Sequence, residues 1–85
     1  MPAARKGSVQ IRFEILEHLY YAPRPQPRTH VWRKATTLSY DDFQRHIIYL
    51  STKNLVIDQS EEGLIITKAG REVYEKLRNA LGELL

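Results

Sequence analysis

Three prolines at alternate positions, Pro23, Pro25 and Pro27 in "APRPQPR", constrain this chain more than any other feature. Each fixes its own φ near about −65° and removes a backbone donor, so no helix runs through the segment. The stretch reads as a stiff, extended spacer. As a docking motif for a proline-binding partner it is a weak signal. The residues before it are helical in pattern. After Ser8, Val9, Phe13, Leu16 and Tyr20 fall at helical spacing, and Ile15 and Leu19 widen the stripe. This predicts a first helix over about residues 9–22 with a broad buried face.

Beyond the prolines, Thr29 is the expected cap of a short helix, "HVWRKAT", whose apolar side is Val31, Trp32 and Ala35. Trp32 reads as a core anchor, because no second aromatic accompanies it as a stacking platform. Ser39 then caps a third helix, with Asp42 in a position resembling a capping box. Phe43, His46, Ile47 and Leu50 define its inward face, and Asn54 suits the left-handed residue that ends it. Two β-rich triplets, Leu55–Ile57 and Leu64–Ile66, flank a polar turn ending in Gly63 and predict a hairpin. Thr67 caps a last helix, in which Val73, Leu77, Ala80 and Leu84 form a heptad-like seam with Tyr74 and Leu81 beside it. Gly82 weakens the end of that helix by roughly 1 kcal/mol relative to alanine.

Eighty-five residues make one small core, and the absence of cysteine removes disulfides, thiolate zinc sites and cysteine nucleophiles together. No apolar run approaches the roughly 18 residues of a membrane span. "MPAARKGS" has no apolar stretch behind its basic residues, so a soluble cytoplasmic protein is expected. Residues 1–34 carry seven Lys/Arg against Glu14 and Glu17, a balance of +5, and residues 35–85 carry six against eight acids, a balance of −2. That asymmetry favours a polyanion met mainly by the N-terminal half. Catalysis finds no support. Glu14 and His18 share a helix face but lack a third ligand, and "SYDDFQRH" cannot set a nucleophile, base and orienter on consecutive turns. No metal and no cofactor is expected.

Helix, helix, helix, hairpin, helix is the element order of a winged helix-turn-helix with an added C-terminal helix: a mainly α fold with a β-hairpin wing. The segments "RFEILEHL", "RTHVWRKATTLSYDDFQRHIIYLSTKNLVI" and "GLIITKAGREVYEKL" resemble small dimeric archaeal winged helix-turn-helix DNA-binding proteins of about this chain's 10.0 kDa. The match runs from Ile11 to Leu77. The resemblance implies a homodimer on double-stranded DNA, acting in transcription or in the nucleoid. It also implies an antiparallel pairing of C-terminal helices, which the seam of Val73, Leu77, Ala80, Leu81 and Leu84 suggests independently. The chain then divides into a flexible basic arm (residues 1–7), a winged-helix domain (8–67) and a dimerisation helix (68–85).

By that resemblance Ser39, Tyr40 and Gln44 match the start of the recognition helix. Arg45 lies on its outward side, Arg33 and Lys34 match the end of the preceding helix, and His46 takes a position usually aromatic and buried. The candidate phosphate contacts are Arg28, Arg33, Lys34, Arg45 and Lys53, joined by Arg24 and by Arg5 and Lys6 on the arm. Such contacts supply position without sequence code. Tyr40, Gln44 and Arg45 are the candidate base readers. Three features depart from the family's pattern. Asp41 and Asp42 lead the reading helix, the wing tip "DQSEEG" is acidic, and the Ala35–Ser39 connection is one residue longer than is typical. A helix N-terminus stabilises carboxylates, which accounts for Asp42, while the outward Asp41 would either repel nearby phosphate or accept a hydrogen bond from a cytosine amino group. A second expectation follows, in which the domain docks a basic protein and has little DNA affinity.

Overall fold

A computed structural model describes residues 7–84, with side chains described through Leu81. Four helices and one hairpin follow in order: α1 (Ser8–Tyr21), α2 (Arg28–Ala35), α3 (Tyr40–Thr52), β1 (Val56–Asp58), β2 (Leu64–Ile66) and α4 (Lys68–Leu84). This is the winged helix with an additional C-terminal helix. The expected arm lies outside the described residues except for Gly7.

The core gathers Ile15, Leu16 and Leu19 of α1, Val31 of α2, and Phe43, Ile47 and Leu50 of α3. Val56, Leu64, Ile66 and Tyr74 complete it. The first helix is rotated and shifted relative to its expected stripe. Gly7 is its N-cap, with the Ile11 N–H bonded to the Gly7 carbonyl at 3.0 Å, so Ser8 lies inside the helix. Val9 is 65 % exposed, because the first turn projects past the elements that cover Ile15 and Leu19. The helix stops at Tyr21, and Ala22 turns extended (φ −77°, ψ 129°), as the residue before a proline must.

The proline segment does more than span a gap. The Gln26 N–H donates to the Leu64 carbonyl at 2.9 Å, and the Leu64 N–H donates back to the Gln26 carbonyl at 2.7 Å. Between Pro25 and Pro27 only Gln26 has a backbone donor, and it adds a one-residue third strand to the hairpin. Gly63 makes this approach possible: its φ is +107°, and a β-carbon there would overlap the Gln26 carbonyl. With Pro27 held by this bridge, α2 starts at Arg28 with Pro27 as N-cap, and Thr29 is not the cap. The Val31 N–H closes the first turn on the Pro27 carbonyl at 3.1 Å.

At α3 the expected cap forms: Ser39 Oγ accepts from the Asp42 N–H at 3.3 Å. Asn54 ends the helix region in the left-handed conformation, φ 59°. The first strand begins one residue later than the triplet predicts, because Leu55 is already engaged at the helix exit. Its N–H bonds to the Leu50 carbonyl (2.9 Å) and its carbonyl accepts from the Thr67 N–H (3.0 Å). Thr67 Oγ1 donates to the Asn54 carbonyl (2.7 Å) and accepts from the Gly70 N–H (2.9 Å), so one hydroxyl joins the exit of α3 to the cap of α4. The hairpin pairs Val56 with Ile66, Ile57 with Ile65 and Asp58 with Leu64.

Helix α4 is fastened along α1 by phenols. The buried Tyr74 hydroxyl donates to Glu17 Oε2 and the Tyr20 hydroxyl to Glu75 Oε2, each at 2.9 Å. The Tyr74 ring stacks on Phe13 with centroids 5.1 Å apart. Burial, and then hydrogen bonding to Tyr21 and Glu17, pushes the Tyr74 phenol well above its usual range, so it stays a donor.

Candidate nucleic-acid interface

The inward residues of α3 leave a stripe that the core does not use. Asp41, Arg45 and Ile48 are exposed on it, and Gln44 is half-buried at its edge. Positions three and four apart share a helix face, so these side chains form one surface. Ile48 is 63 % exposed, a large apolar group on an otherwise polar stripe. Its spacing from Asp41, Gln44 and Arg45 is the one sequence signal that marks it as part of this face.

Arg45 is an open cation. Its side chain is 81 % exposed and its nearest carboxylate oxygen, on Asp42, is 4.0 Å away. A pair this exposed contributes little and leaves the guanidinium free to swing toward another anion. Tyr40 is placed differently. Its ring meets Trp32 edge-on at 5.1 Å and lies 6.0 Å from Phe43, so it is committed to packing α2 on α3. Trp32 therefore has the aromatic companion that its sequence neighbours lack. The indole N–H donates to the Leu38 carbonyl at 2.7 Å, fixing the turn between the two helices.

Arg28 is the most engaged of the candidate cations. Its guanidinium donates to Gln44 Oε1 on α3 and to Asp58 Oδ2 on the wing. Arg28 thus joins three elements, and only 31 % of its side chain is exposed. Asp58, one of the acids of the wing tip, is neutralised by this pair. The tip itself is a tight turn: Ser60 N–H donates to Asp58 Oδ1 at 3.0 Å, and Gln59 N–H to the Gly63 carbonyl at 2.7 Å.

Other candidates are not brought together. Lys34 lines an open groove of about 610 Å³ with Glu14, His18, Tyr21 and Gln26, on the α1 side of α2 and away from the α3 stripe. Arg33 is exposed, its guanidinium 5.9 Å from the Trp32 ring. Lys53 sits at the C-cap of α3, eight residues beyond Arg45 and so about 12 Å further along the axis. It lies 5.7 Å from the Tyr49 ring, whose face carries Arg12 at 3.5 Å. Arg12 Nε donates to His46 Nδ1 at 3.3 Å. That bond requires a neutral imidazole, and burial followed by Arg12 lowers the His46 pKa, Asp42 opposing them.

His18 is the other perturbed imidazole. Burial lowers its pKa first, then His30, whose ring is 5.7 Å away, then Lys34. Its Nε2 is buried without a hydrogen-bond partner. Among the described residues no group of three or more His, Asp or Glu could hold a metal ion, and no helix is long and apolar enough to cross a membrane.

On α4, Val73 and Leu77 are half-buried, and Ala80 and Leu81 are exposed; the Leu84 side chain lies outside the described residues. The lone chain therefore leaves the outer part of the seam uncovered.

Compared with known proteins, the chain is similar over residues 5–83 to a family described as winged helix-turn-helix. Neither the comparison with curated proteins nor that with solved structures returned a match.

Proposed function

Because the chain belongs to the winged helix-turn-helix family, we propose that it binds double-stranded DNA as a homodimer, as a transcriptional regulator or a chromatin-associated protein of the cytoplasmic nucleoid. The observation that carries this reading is the outward stripe of α3. Gln44, Arg45 and Ile48 project from a capped helix whose opposite face buries Phe43, Ile47 and Leu50 in the core. Donors and an apolar group on one helix face are what a major groove accepts. Arg33 and Arg45, with Lys53, supply phosphate contacts. Lys34 contributes by swinging around α2, and Arg28 acts by holding α3 and the wing together. Val73, Leu77, Ala80, Leu81 and Leu84 form the dimer contact, which would set two α3 helices on successive turns of the duplex.

The test is a titration of duplex DNA at several salt concentrations. Neutralising about 4–8 phosphates gives a log–log slope between about −4 and −7. No binding even at low salt would sink the proposal.

A second reading is favoured by one specific observation: Asp41, Asp42, Glu61 and Glu62 are all exposed. In it, α3 and the wing tip dock a basic protein surface and DNA affinity is slight.

A further inference from the structure

We propose that Arg28 determines base specificity by positioning Gln44: it fixes the Gln44 amide with its NH₂ group outward, so that α3 prefers guanine to adenine. The inference rests on the DNA-binding reading above.

The chemistry of the contact decides the amide's orientation. A guanidinium carries five N–H donors and no acceptor, so the Gln44 atom facing it must be the oxygen. Arg28 Nη1 donates to Gln44 Oε1, while Nη2 is held from the other side by Asp58. The guanidinium cannot turn away without giving up its pair with Asp58. Gln44 Nε2 is left on the far side of the amide, neither buried nor bonded among the described residues.

A free glutamine pairs with adenine by aiming both amide atoms at one base, the oxygen accepting from N6 and the nitrogen donating to N7. Here the oxygen is aimed back at α2, and only the donor remains. Guanine offers a donor two adjacent acceptors, N7 and O6, whereas adenine sets its N6 amino donor beside its single acceptor N7, and cytosine offers only its N4 amino donor. Arg45, the next residue, is also a donor without an acceptor, which reinforces the same choice. Asp41 then acquires a use. It lies three residues before Gln44 on the outward face, exposed, and a carboxylate accepts from the N4 amino group of the cytosine paired with that guanine.

The experiment selects binding sites from randomised duplexes with the full chain and three variants. The wild type is expected to enrich guanine about tenfold over adenine at one position, a preference that Gln44→Ala erases. In Gln44→Glu one oxygen pairs with Arg28 and the other faces outward as an acceptor, so that position changes from guanine to a base with an amino donor, cytosine or adenine. Arg28→Met frees the amide to turn and admits adenine. Adenine in the wild-type site at the Gln44-dependent position overturns the inference, as does an unchanged preference in both Arg28→Met and Gln44→Glu. If Arg28→Met does not fold, Gln44→Glu carries the test alone. A chain that binds no duplex removes the DNA-binding reading and this inference with it. Binding without a Gln44-dependent guanine overturns the inference only. The tie itself is read without DNA: the side-chain amide signal of Gln44 in nitrogen-edited proton spectra must move in Arg28→Met, and an unmoved signal overturns it.

Discussion

Gln26 and Leu64 exchange both of their backbone hydrogen bonds beside the turn of the wing. A proline-flanked connection thereby becomes the third strand of the sheet. The bridge fixes where α2 begins, and with it the angle at which α2 presents Arg28 to α3 and the wing.

This bridge depends on Gly63. Alanine there meets both an unfavourable positive φ and the Gln26 carbonyl. Gly63→Ala is expected to destabilise the fold by about 1–3 kcal/mol, and by more if the bridge opens. Urea unfolding followed by circular dichroism measures it. A midpoint equal to the wild type's would show that the Gln26–Leu64 bridge does not matter for stability.

Both perturbed histidines link stability to pH. Their folded pKa values are depressed below the ordinary 6.5, so the unfolded chain binds more protons as pH falls through that region. The stability is fully present above about pH 6.5 and declines on acidification below it. Protonated His18 would face His30 and Lys34, and protonated His46 would face Arg12, with Asp42 offsetting part of the cost. Urea midpoints at pH 7.5 and 5.5 should converge in the double variant His18→Gln, His46→Gln. An equally large pH dependence in that variant would assign the effect to other groups.

Leu77→Glu places a carboxylate in the proposed α4 seam while leaving the buried Tyr74 contact to Glu17 in place. Light scattering is expected to show a dimeric wild type and a monomeric variant. A wild type that is already monomeric refutes the dimer directly.

Asp41 separates the two functional readings. It is exposed, beside Arg45 and Gln44 on the outward stripe. Asp41→Lys is expected to raise nonspecific DNA affinity several-fold at low salt, since it removes a like charge from phosphate and adds a counter-charge. If α3 instead docks a basic protein, the variant loses that partner and its DNA affinity stays negligible.

Much of the fold was legible in short-range chemistry. The Ser39 cap, the left-handed Asn54, the Thr67 cap and the inward Phe43, Ile47 and Leu50 are each dictated by a side chain and its helical spacing, whereas His46, expected beside them, is only half-buried and tied to Arg12. The misreadings share one cause. Helical spacing puts Val9 inside, because it reports a face without reporting how far the covering elements extend. Local sequence makes Thr29 the cap, because the Gln26–Leu64 bridge, which sets the start of α2, joins residues 38 positions apart.

The same division runs through the candidate interface. The amino-acid sequence by itself determined that α3 would be a capped amphipathic helix with Arg45 outward, since local hydrogen bonding and a 3.6-residue period suffice for both. Only the tertiary structure decided that Arg28 holds Gln44 and Asp58, that Lys34 turns toward α1, and that Tyr40 packs on Trp32. Those outcomes depend on which side chains meet after the chain has folded back on itself. A guanidinium on α2 has no preference for phosphate over an amide until packing brings the amide within its reach.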